Sequence, residues 1–404
     1  MLALQQTKSA SLPSPAQELR IPIGAAAAPK LEQPNRSDAN DSLRRTDKNQ
    51  DQSLTLPNGK LTAGVWDSDT LKDYFANIIL LNSKDIESIE NALQNFKDLG
   101  LDIPLVSPEN FPLPETLVGR LRSVSKIAHD GVGFAIVRGI NPEEYNDEDN
   151  VIIFNGLSSH VGCLRSTNQK GVSMSHLRDA QKDHRPEDRK TAELNASKLP
   201  QGMKFHADRF YGDMIAMYVK SDDAIGGDQY LASFPAIYNE LLETSPQTLR
   251  ILAKNWSWGN SKENADQPKS PVIFPASNNR VIVQLIYRPF LDSGFSSAAE
   301  ESALATVQAT AERLCIKLDR QPGDLQFVNN FSVLHARDKY TNSSSKGRHM
   351  LRLGLRDPEN AWEVPEQWRG LFDELFQVRP EDQTIFATDV DPWELTTASI
   401  NHHG

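Results

Sequence analysis

A series of short apolar segments, each flanked by turn residues, limits the folds open to this chain. The segments are rich in aliphatic, aromatic and β-branched residues, and turn sequences such as IGGD (225–228) and PGD (322–324) lie between them. Short runs of this kind predict strands of an all-β core. The strand candidates are GFAIVRG (133–139), MKFHAD (203–208), DMIAMYV (213–219), RVIVQLI (280–286), LQFV (325–328) and HMLRLGL (349–355).

Helical segments lie before and between these strands. Apolar residues recur at helical spacing over 85–99, with Ser83 as the expected N-cap and Gly100 after the end. We therefore expect a mainly β fold with α decoration and a helical N-terminal lobe. Because no glycine-rich loop joins a strand to a helix, a nucleotide-binding fold is disfavoured. The other helix candidates are 117–127, 236–242, 246–256 and 297–318.

Residues 1–60 differ in composition from the rest of the chain. They are rich in Ser, Pro, Ala, Asn, Asp and Gln, and include AAAAPK and RSDANDSLRRTDKNQDQS. Such a stretch buries too little apolar surface to offset the entropy lost on ordering. We expect a disordered or loosely attached extension over 1–60. A single catalytic domain would then occupy 61–404, with its N-terminal lobe at 61–131.

Charge and cysteine content narrow the classes of function. Lys and Arg number 43 against 54 Asp and Glu, a net charge of −11, which argues against a nucleic-acid partner. No apolar run approaches the ~20 residues that cross a bilayer. Only Cys163 and Cys315 are present, and no apolar signal segment follows Met1. These features favour a cytoplasmic protein without a membrane association.

The segment FHAD at 205–208 carries the candidate chemistry. Side chains two residues apart on a strand share a face, so His206 and Asp208 can converge on one ion. A donor set of imidazole nitrogen and carboxylate oxygen suits iron(II). Structural zinc is instead held by sulfur-rich sites. His335 is the leading candidate for a third ligand, and such a set leaves three positions on the ion open. An HxD pair alone is also typical of a hydrogen-bonded strand histidine.

A longer pattern surrounds these residues. From Leu117 to Glu366 the chain resembles the taurine/2,4-dichlorophenoxyacetate dioxygenase family, which includes clavaminate synthase-like relatives, and most of all its fungal members. The HxD pair, a distal histidine and an arginine in the following strand occur in the same order. The matching segments are GFAIVRGI, FHADRFYGDMIAMYVKSDDAIGGDQYLASFPAIYNEL, PGDLQFVNNFSVLHARDKY and GRHMLRLGLRD.

The resemblance implies a double-stranded β-helix (jelly-roll) core that uses iron(II), 2-oxoglutarate and O₂. The metal ligands correspond to His206, Asp208 and His335. Oxidative decarboxylation of 2-oxoglutarate would be coupled to hydroxylation, desaturation or cyclisation of a small metabolite. We expect that metabolite to bear a carboxylate or to be an amino acid of secondary metabolism.

Three further residues receive cosubstrate roles from the same resemblance. Arg348 corresponds to the arginine that grips the distal carboxylate of 2-oxoglutarate, which a planar guanidinium can clamp with two hydrogen bonds. Arg352 shares strand parity with Arg348 and is a candidate for the cosubstrate or the substrate. Gln229 stands directly after the GGD turn, where some relatives carry threonine, and its amide can still donate.

Substrate contacts are expected from the segment 158–176, which precedes HxD. Arg165 is the candidate reader of an anionic group, with Asn168 and Gln169 as polar neighbours. Tyr287, at the end of the RVIVQLI strand, is a further candidate. A structural or surface role is open for each. The polar loop 178–198 is a candidate lid.

Two other functions remain open at this point. One is a cupin-like metalloenzyme that does not use 2-oxoglutarate, in which Arg348 would have no purpose. The other is a non-catalytic binding module on the same scaffold. The sequence gives no indication of oligomeric state.

Overall fold

The fold was taken from a computed structural model of the chain. It describes residues 54–71, 74–185, 187, 194–258, 269–287, 290, 294–344, 347–390 and 393.

The largest sheet has seven strands. They are β1 (Ile78–Leu80), β2 (Phe134–Arg138), β3 (Leu164–Arg165), β4 (Met174–Arg178), β6 (Met214–Asp222), β12 (Leu325–Asn329) and β15 (Arg348–Arg356). The spatial order is β1-β2-β12-β6-β15-β3, and β4 also pairs with β15. Only the β1–β2 pair is parallel among the described strands of this sheet.

A four-stranded sheet lies opposite it, in the order β11-β8-β13-β5. Its strands are β5 (Met203–His206), β8 (Gln229–Ser233), β11 (Ile316–Lys317) and β13 (Val333–Arg337). Two ribbons complete the strands of the described residues. They pair β7 (Ala224–Gly226) with β14 (Tyr340–Asn342), and β9 (Ile273–Ala276) with β10 (Arg280–Val283).

Alternation of side chains explains why both sheets have two apolar faces. In β2, Phe134 and Ile136 belong to a core shared with the smaller sheet, whereas Ala135 and Val137 belong to the core on the opposite face. Successive strand residues point to opposite faces, so each strand contributes to two cores. Leu231 and Val333 of the smaller sheet join the shared inner core.

Helices cover the outer face of each sheet. The helices α1 (Ser83–Asp98), α2 (Glu115–Asp130) and α3 (Asp147–Val161) pack on the larger sheet. The helices α4 (Phe234–Thr244), α5 (Pro246–Leu252) and α6 (Ala298–Leu314) pack on the smaller one. A last helix, α7 (Glu366–Asp373), joins a separate aromatic cluster. Among the residues that the structure describes, none of these helices has the length and apolarity to cross a bilayer.

The sequence predicted a mainly β fold with α decoration. The observed architecture is more specific, because mixed sheets lie between layers of helices. Some predicted bounds are wrong as well. Helix α1 is capped by Asn82, not by Ser83, because Asn82 and Asp85 form a reciprocal capping box. The strand predicted over 203–208 ends at His206, and the helix predicted over 246–256 ends at Leu252.

Residues 54–60 lie against the folded domain. The hydroxyl of Tyr238 donates to the carbonyl of Pro57 at 2.6 Å, and Lys60 pairs with Glu243 at 2.5 Å. Pro57 and Lys60 thus contact the domain, and the division at residue 61 stays a prediction. The remainder of the predicted extension, residues 1–53, lies outside the described residues.

Candidate metal centre

The structure brings His206, Asp208 and His335 together at the inner side of the smaller sheet. His206 ends β5 and lies opposite His335 in β13, with ring centroids 4.1 Å apart. Asp208 lies two residues beyond the strand, and its Oδ1 is 3.7 Å from Nε2 of His206. One ligand atom from each residue lies within 4.8 Å of the others. The convergence of the three ligand atoms thus depends on where β5 ends and on the turn that follows it.

The hydrogen bonding of His206 suits a metal ligand. Its Nδ1 donates to the carbonyl of Lys204 at 2.7 Å, which leaves the lone pair on Nε2. Nε2 is buried and has no hydrogen-bond partner among the described residues. Burial lowers the pKa of His206, partly opposed by Asp208. The neutral imidazole is the form that binds metals.

Two side chains that lie just after distant strands, β12 and β10, hold the turn that follows Asp208. The amide of Asn330 donates to the carbonyls of Asp208 and Gly212, at 2.6 and 2.8 Å. The backbone N–H of Phe210, which has φ of 46°, donates to Oε1 of Gln284 at 2.7 Å. Asn330 and Gln284 were not singled out by the sequence, because no local pattern marks a residue that supports a turn so far away in the chain.

A buried arginine grips the carboxylate of this set. Nη1 of Arg352 donates to Oδ2 of Asp208 at 2.8 Å, and both side chains are buried. The Arg352 guanidinium also lies 4.7 Å from the ring centroid of Tyr211. Nε and Nη2 of Arg352 have no hydrogen-bond partner in the described part of the chain. Arg352 therefore orients Asp208 and still has donors to offer.

Arg348 begins β15 and points to the same inner face as Arg352. The intervening residue Met350 belongs to the inner core, whereas Leu351 and Leu353 belong to the outer one. Arg348 is 2% exposed, Nη2 contacts the Met350 sulfur, and Nε and Nη1 have no hydrogen-bond partner among the described residues. Burial lowers the pKa of Arg348 to about 9. A buried guanidinium with unused donors is suited to an anionic ligand.

Gln229 lies at the start of β8 and is buried. Its Oε1 accepts from Nε2 of Gln326 at 3.2 Å and from Nη1 of Arg320 at 3.4 Å. Arg320 is itself paired with both carboxylate oxygens of Asp222. Because arginine can only donate, Oε1 of Gln229 must face it, and the NH₂ group is directed away, beside the Met217 sulfur.

The residues expected to contact substrate have varied surroundings. Arg165 is buried and donates to the carbonyls of Pro104 and Val106 and to Gln383. Asn168 closes a turn by accepting from the N–H groups of residues 170 and 172, and Gln169 is exposed on that turn. The hydroxyl of Tyr287 donates to the carbonyl of Leu304 at 3.0 Å. These contacts favour structural roles for Arg165, Asn168 and Tyr287.

The ends of the candidate lid are fastened to other parts of the domain. Lys198 and Arg178 both pair with Asp389, each at 2.8 Å. The N–H of Ala180 donates to the carbonyl of Lys198 at 3.0 Å. Residues 186 and 188–193 lie outside the described residues, so the lid remains a prediction.

The site also contains residues that sequence reasoning missed. Arg337 is buried on β13, two residues after His335, and its guanidinium lies 4.9 Å from the ring centroid of Tyr340. The Arg348 guanidinium lies 5.4 Å from the same centroid. One sequence signal could have identified Arg337: it stands two residues after His335, so both side chains are expected on the same face of the strand.

The chain is similar in sequence to a known family and to two described proteins. The family model described as "Taurine catabolism dioxygenase TauD, TfdA family" matches residues 95–353. A taurine hydroxylase-like protein, SAT17, from Stachybotrys chartarum is 32% identical over 76% of this chain and 82% of its own. FR-33289 synthase from Streptomyces rubellomurinus is 24% identical over 74% of this chain and 91% of its own.

Solved structures share the fold at low sequence identity. Asparagine oxygenase in complex with Fe(II), 2S,3S-3-hydroxyasparagine and succinate superposes with a TM-score of 0.55 and 12% identity, over 71% of this chain and 99% of that chain. The non-haem iron oxygenase OrfP with Fe and alpha-ketoglutaric acid gives 0.52 and 12%, over 69% and 93%. The resemblance seen in the sequence motifs is confirmed, and the chain belongs to the TauD/TfdA dioxygenase family.

Proposed function

We propose that this protein is an iron(II)- and 2-oxoglutarate-dependent oxygenase that oxidises a C–H bond of a small, carboxylate-bearing or amino-acid-like metabolite. The observation that carries the proposal is the pairing of a His–Asp–His set with a buried arginine on the facing sheet. Arg348 supplies unused donors there, and His206 supplies an unused ring nitrogen. The low-identity solved structures support a jelly-roll reading of the two facing sheets.

The donor set fits iron(II). His206, Asp208 and His335 would bind the ion, and two imidazoles with one carboxylate leave open positions for a chelating keto acid and O₂. When bound, iron(II) with 2-oxoglutarate and O₂ supplies an oxidant that removes hydrogen from an unactivated carbon, with succinate and CO₂ as coproducts. Arg352 would keep the Asp208 carboxylate oriented toward the ion.

Arg348 would anchor the distal carboxylate of 2-oxoglutarate through Nε and Nη1. The Gln229 amide would add a donor on the side directed away from Arg320. Both side chains lie on inner faces of the sheets. Water would therefore be excluded from the contact between the Arg348 guanidinium and the distal carboxylate, which strengthens their attraction. Their role is to hold the cosubstrate in one orientation, which is the main contribution of a protein to such chemistry.

Arg352 is the residue we assign to a carboxylate of the substrate. Its two unused donors lie beside the metal ligand Asp208, so an anion bound there would be held next to the metal. The solved relatives act on asparagine or hold hydroxylated arginine, which supports an amino-acid-like substrate here. Arg165 is left out of this set because its donors face carbonyls and Gln383 of the same chain.

The test is anaerobic titration of 2-oxoglutarate into the iron(II) protein. We expect a visible charge-transfer band from the chelate, its loss in Arg348→Ala, and its retention in Arg379→Gln, which changes an exposed arginine. A wild-type protein that binds iron but gives no band would favour the cupin-like alternative. If the band forms but no metabolite extract yields succinate, the binding-module alternative gains. Mass analysis of the product then separates hydroxylation, desaturation and cyclisation.

A further inference from the structure

Arg337 is a second buried arginine on the inner face of the site, and the proposed function leaves it without a role. It is 7% exposed and lies in β13. Its neighbours Leu334 and Ala336 belong to the outer core under the helices. Alternation along the strand therefore places Arg337 on the same inner face as His335.

Arg337 lies close to the arginine assigned to the cosubstrate. The guanidinium groups of Arg337 and Arg348 lie 4.9 and 5.4 Å from the centroid of one ring, that of Tyr340. In the β13–β8 ladder Arg337 is directly opposite Gln229, whose side chain also points inward. Arg337 therefore lies beside the same ring as Arg348 and opposite Gln229, the two residues proposed to hold the distal carboxylate.

Among the residues that the structure describes, no carboxylate forms an ion pair with either of these two arginines. Asp222, across the ladder from Arg348, is paired with Arg320 through both of its oxygens. Within the described residues, neither Arg337 nor Arg348 has a carboxylate within salt-bridge distance. Burying two cations that no carboxylate pairs with is costly unless an anion binds to them.

The backbone aims Arg337 without using all of its donors. Nη2 donates to the carbonyls of Leu199 and Gln201, which lie just before β5. Nε is buried and has no hydrogen-bond partner among the described residues. A carboxylate has enough lone pairs to accept from two guanidiniums at once.

We infer that Arg337 is a second cation for the distal carboxylate of the cosubstrate, so that Arg337 and Arg348 together select a keto diacid over a keto monoacid. The inference rests on the proposed function. It predicts that Arg337 acts on the ligand's distal charge, not on the metal or the chelating end. The competing reading gives Arg337 only a structural role, as the support of the backbone at residues 199–201.

Two ligands separate these readings: 2-oxoglutarate and 2-oxovalerate. Both chelate iron(II) through the same keto acid group, and only 2-oxoglutarate has a distal carboxylate. The Kd of each is measured from the anaerobic charge-transfer band of the iron(II) protein. The preference is the ratio of the two Kd values within one variant. A smaller fraction of folded protein affects both titrations equally and therefore cancels in this ratio.

We expect the preference for 2-oxoglutarate to fall about 10-fold or more in Arg337→Gln, as for the loss of one charge-assisted contact. Arg337→Lys, which keeps the charge, should retain most of it, and the exposed Arg379→Gln should match wild type. Arg337→Met serves as a second neutral variant, with an apolar stem that keeps the packing. Thermal unfolding of each variant reports its stability separately.

An unchanged preference in Arg337→Gln and Arg337→Met, with both Kd values raised equally, would overturn the inference in favour of the structural reading. It would leave the proposed function intact. The absence of a band with 2-oxoglutarate in the wild-type iron protein would overturn both. The two failures are thus distinguishable.

Discussion

Nη1 of Arg352 lies 2.8 Å from Oδ2 of Asp208, and both side chains are almost completely buried. The carboxylate that we assign to the metal is therefore already held by a guanidinium on the facing sheet. Mutation of a group that orients a metal ligand in this way typically lowers metal affinity or activity by about 10- to 100-fold.

Replacing Arg352 should weaken metal binding. In Arg352→Met the Asp208 carboxylate loses its charged donor, and we expect metal affinity to fall about 10-fold or more. Anaerobic competition between the protein and a chromogenic chelator for iron(II) measures this. Arg348→Met is the matched control, because it should impair 2-oxoglutarate binding and leave iron affinity unchanged. Equal iron affinity in both variants would contradict the prediction.

Gln229 should contribute a smaller amount to cosubstrate binding. Removing a neutral hydrogen bond costs about 1 kcal/mol, so the Kd for 2-oxoglutarate should rise about fivefold in Gln229→Ala. The charge-transfer titration provides the measurement. Gln169→Ala, on an exposed turn, should leave the Kd at the wild-type value. The assignment of Gln229 is wrong if both variants bind 2-oxoglutarate equally well.

Asp389 should be important for stability. Both of its oxygens accept from Lys198 at 2.8 Å, and Arg178 pairs with it as well. Removing one partner of a buried ion pair leaves the other uncompensated, so Asp389→Asn should lower the free energy of unfolding by about 3–5 kcal/mol. Urea denaturation measures the change. Glu366→Gln, which breaks an exposed pair with Arg369, should have little effect.

A hydrogen-bonded pair of histidines, of which His176 is buried, should make the free energy of unfolding fall in mild acid. Nδ1 of His176 lies 2.9 Å from Nε2 of His349, and Nε2 of His176 donates to the carbonyl of Phe386. Burial lowers the pKa of His176 from 6.5 to about 4 and also lowers that of His349. Lys198, Lys220 and Arg178 oppose protonation of the pair, and Asp389 favours that of His176.

Between pH 6.5 and 4 the unfolded chain therefore binds protons that the folded chain does not. The free energy of unfolding should decrease as pH falls through this window, by about 1.4 kcal/mol per pH unit for each imidazole. In His176→Gln, which keeps a donor for the Phe386 carbonyl, the decrease should be shallower. Urea midpoints at several pH values measure the slopes, and identical slopes in the two proteins would refute the prediction.

Several features of the site were predictable from local sequence. The spacing of Arg348 and Arg352 implied a shared strand face, and the structure places both on the inner face, since Leu351 and Leu353 lie in the outer core. The HxD pair and the distal His335 followed from an ordered set of motifs. The shared face of Arg348 and Arg352 was predictable because alternation along a strand is determined by a few neighbouring residues. The roles of these residues stay predictions.

The same local rules failed where a boundary depended on more distant contacts. Parity alone placed Asp208 on a strand, yet β5 ends at His206, and Asn330 holds the following turn. Arg165 was expected to read a ligand, but its donors face Pro104, Val106 and Gln383, which no spacing in the sequence connects to it.

The sequence by itself determined the strand and helix segments, the family and the identity of the candidate metal ligands, because each depends on short-range periodicity or on a recognisable motif. Only the tertiary structure decided which charges meet. The Asp208–Arg352 contact, the shared position of Arg337 and Arg348 at Tyr340, and the burial of Asp389 all follow from how two sheets face each other. Such partners are far apart in the chain, so sheet register and packing select them.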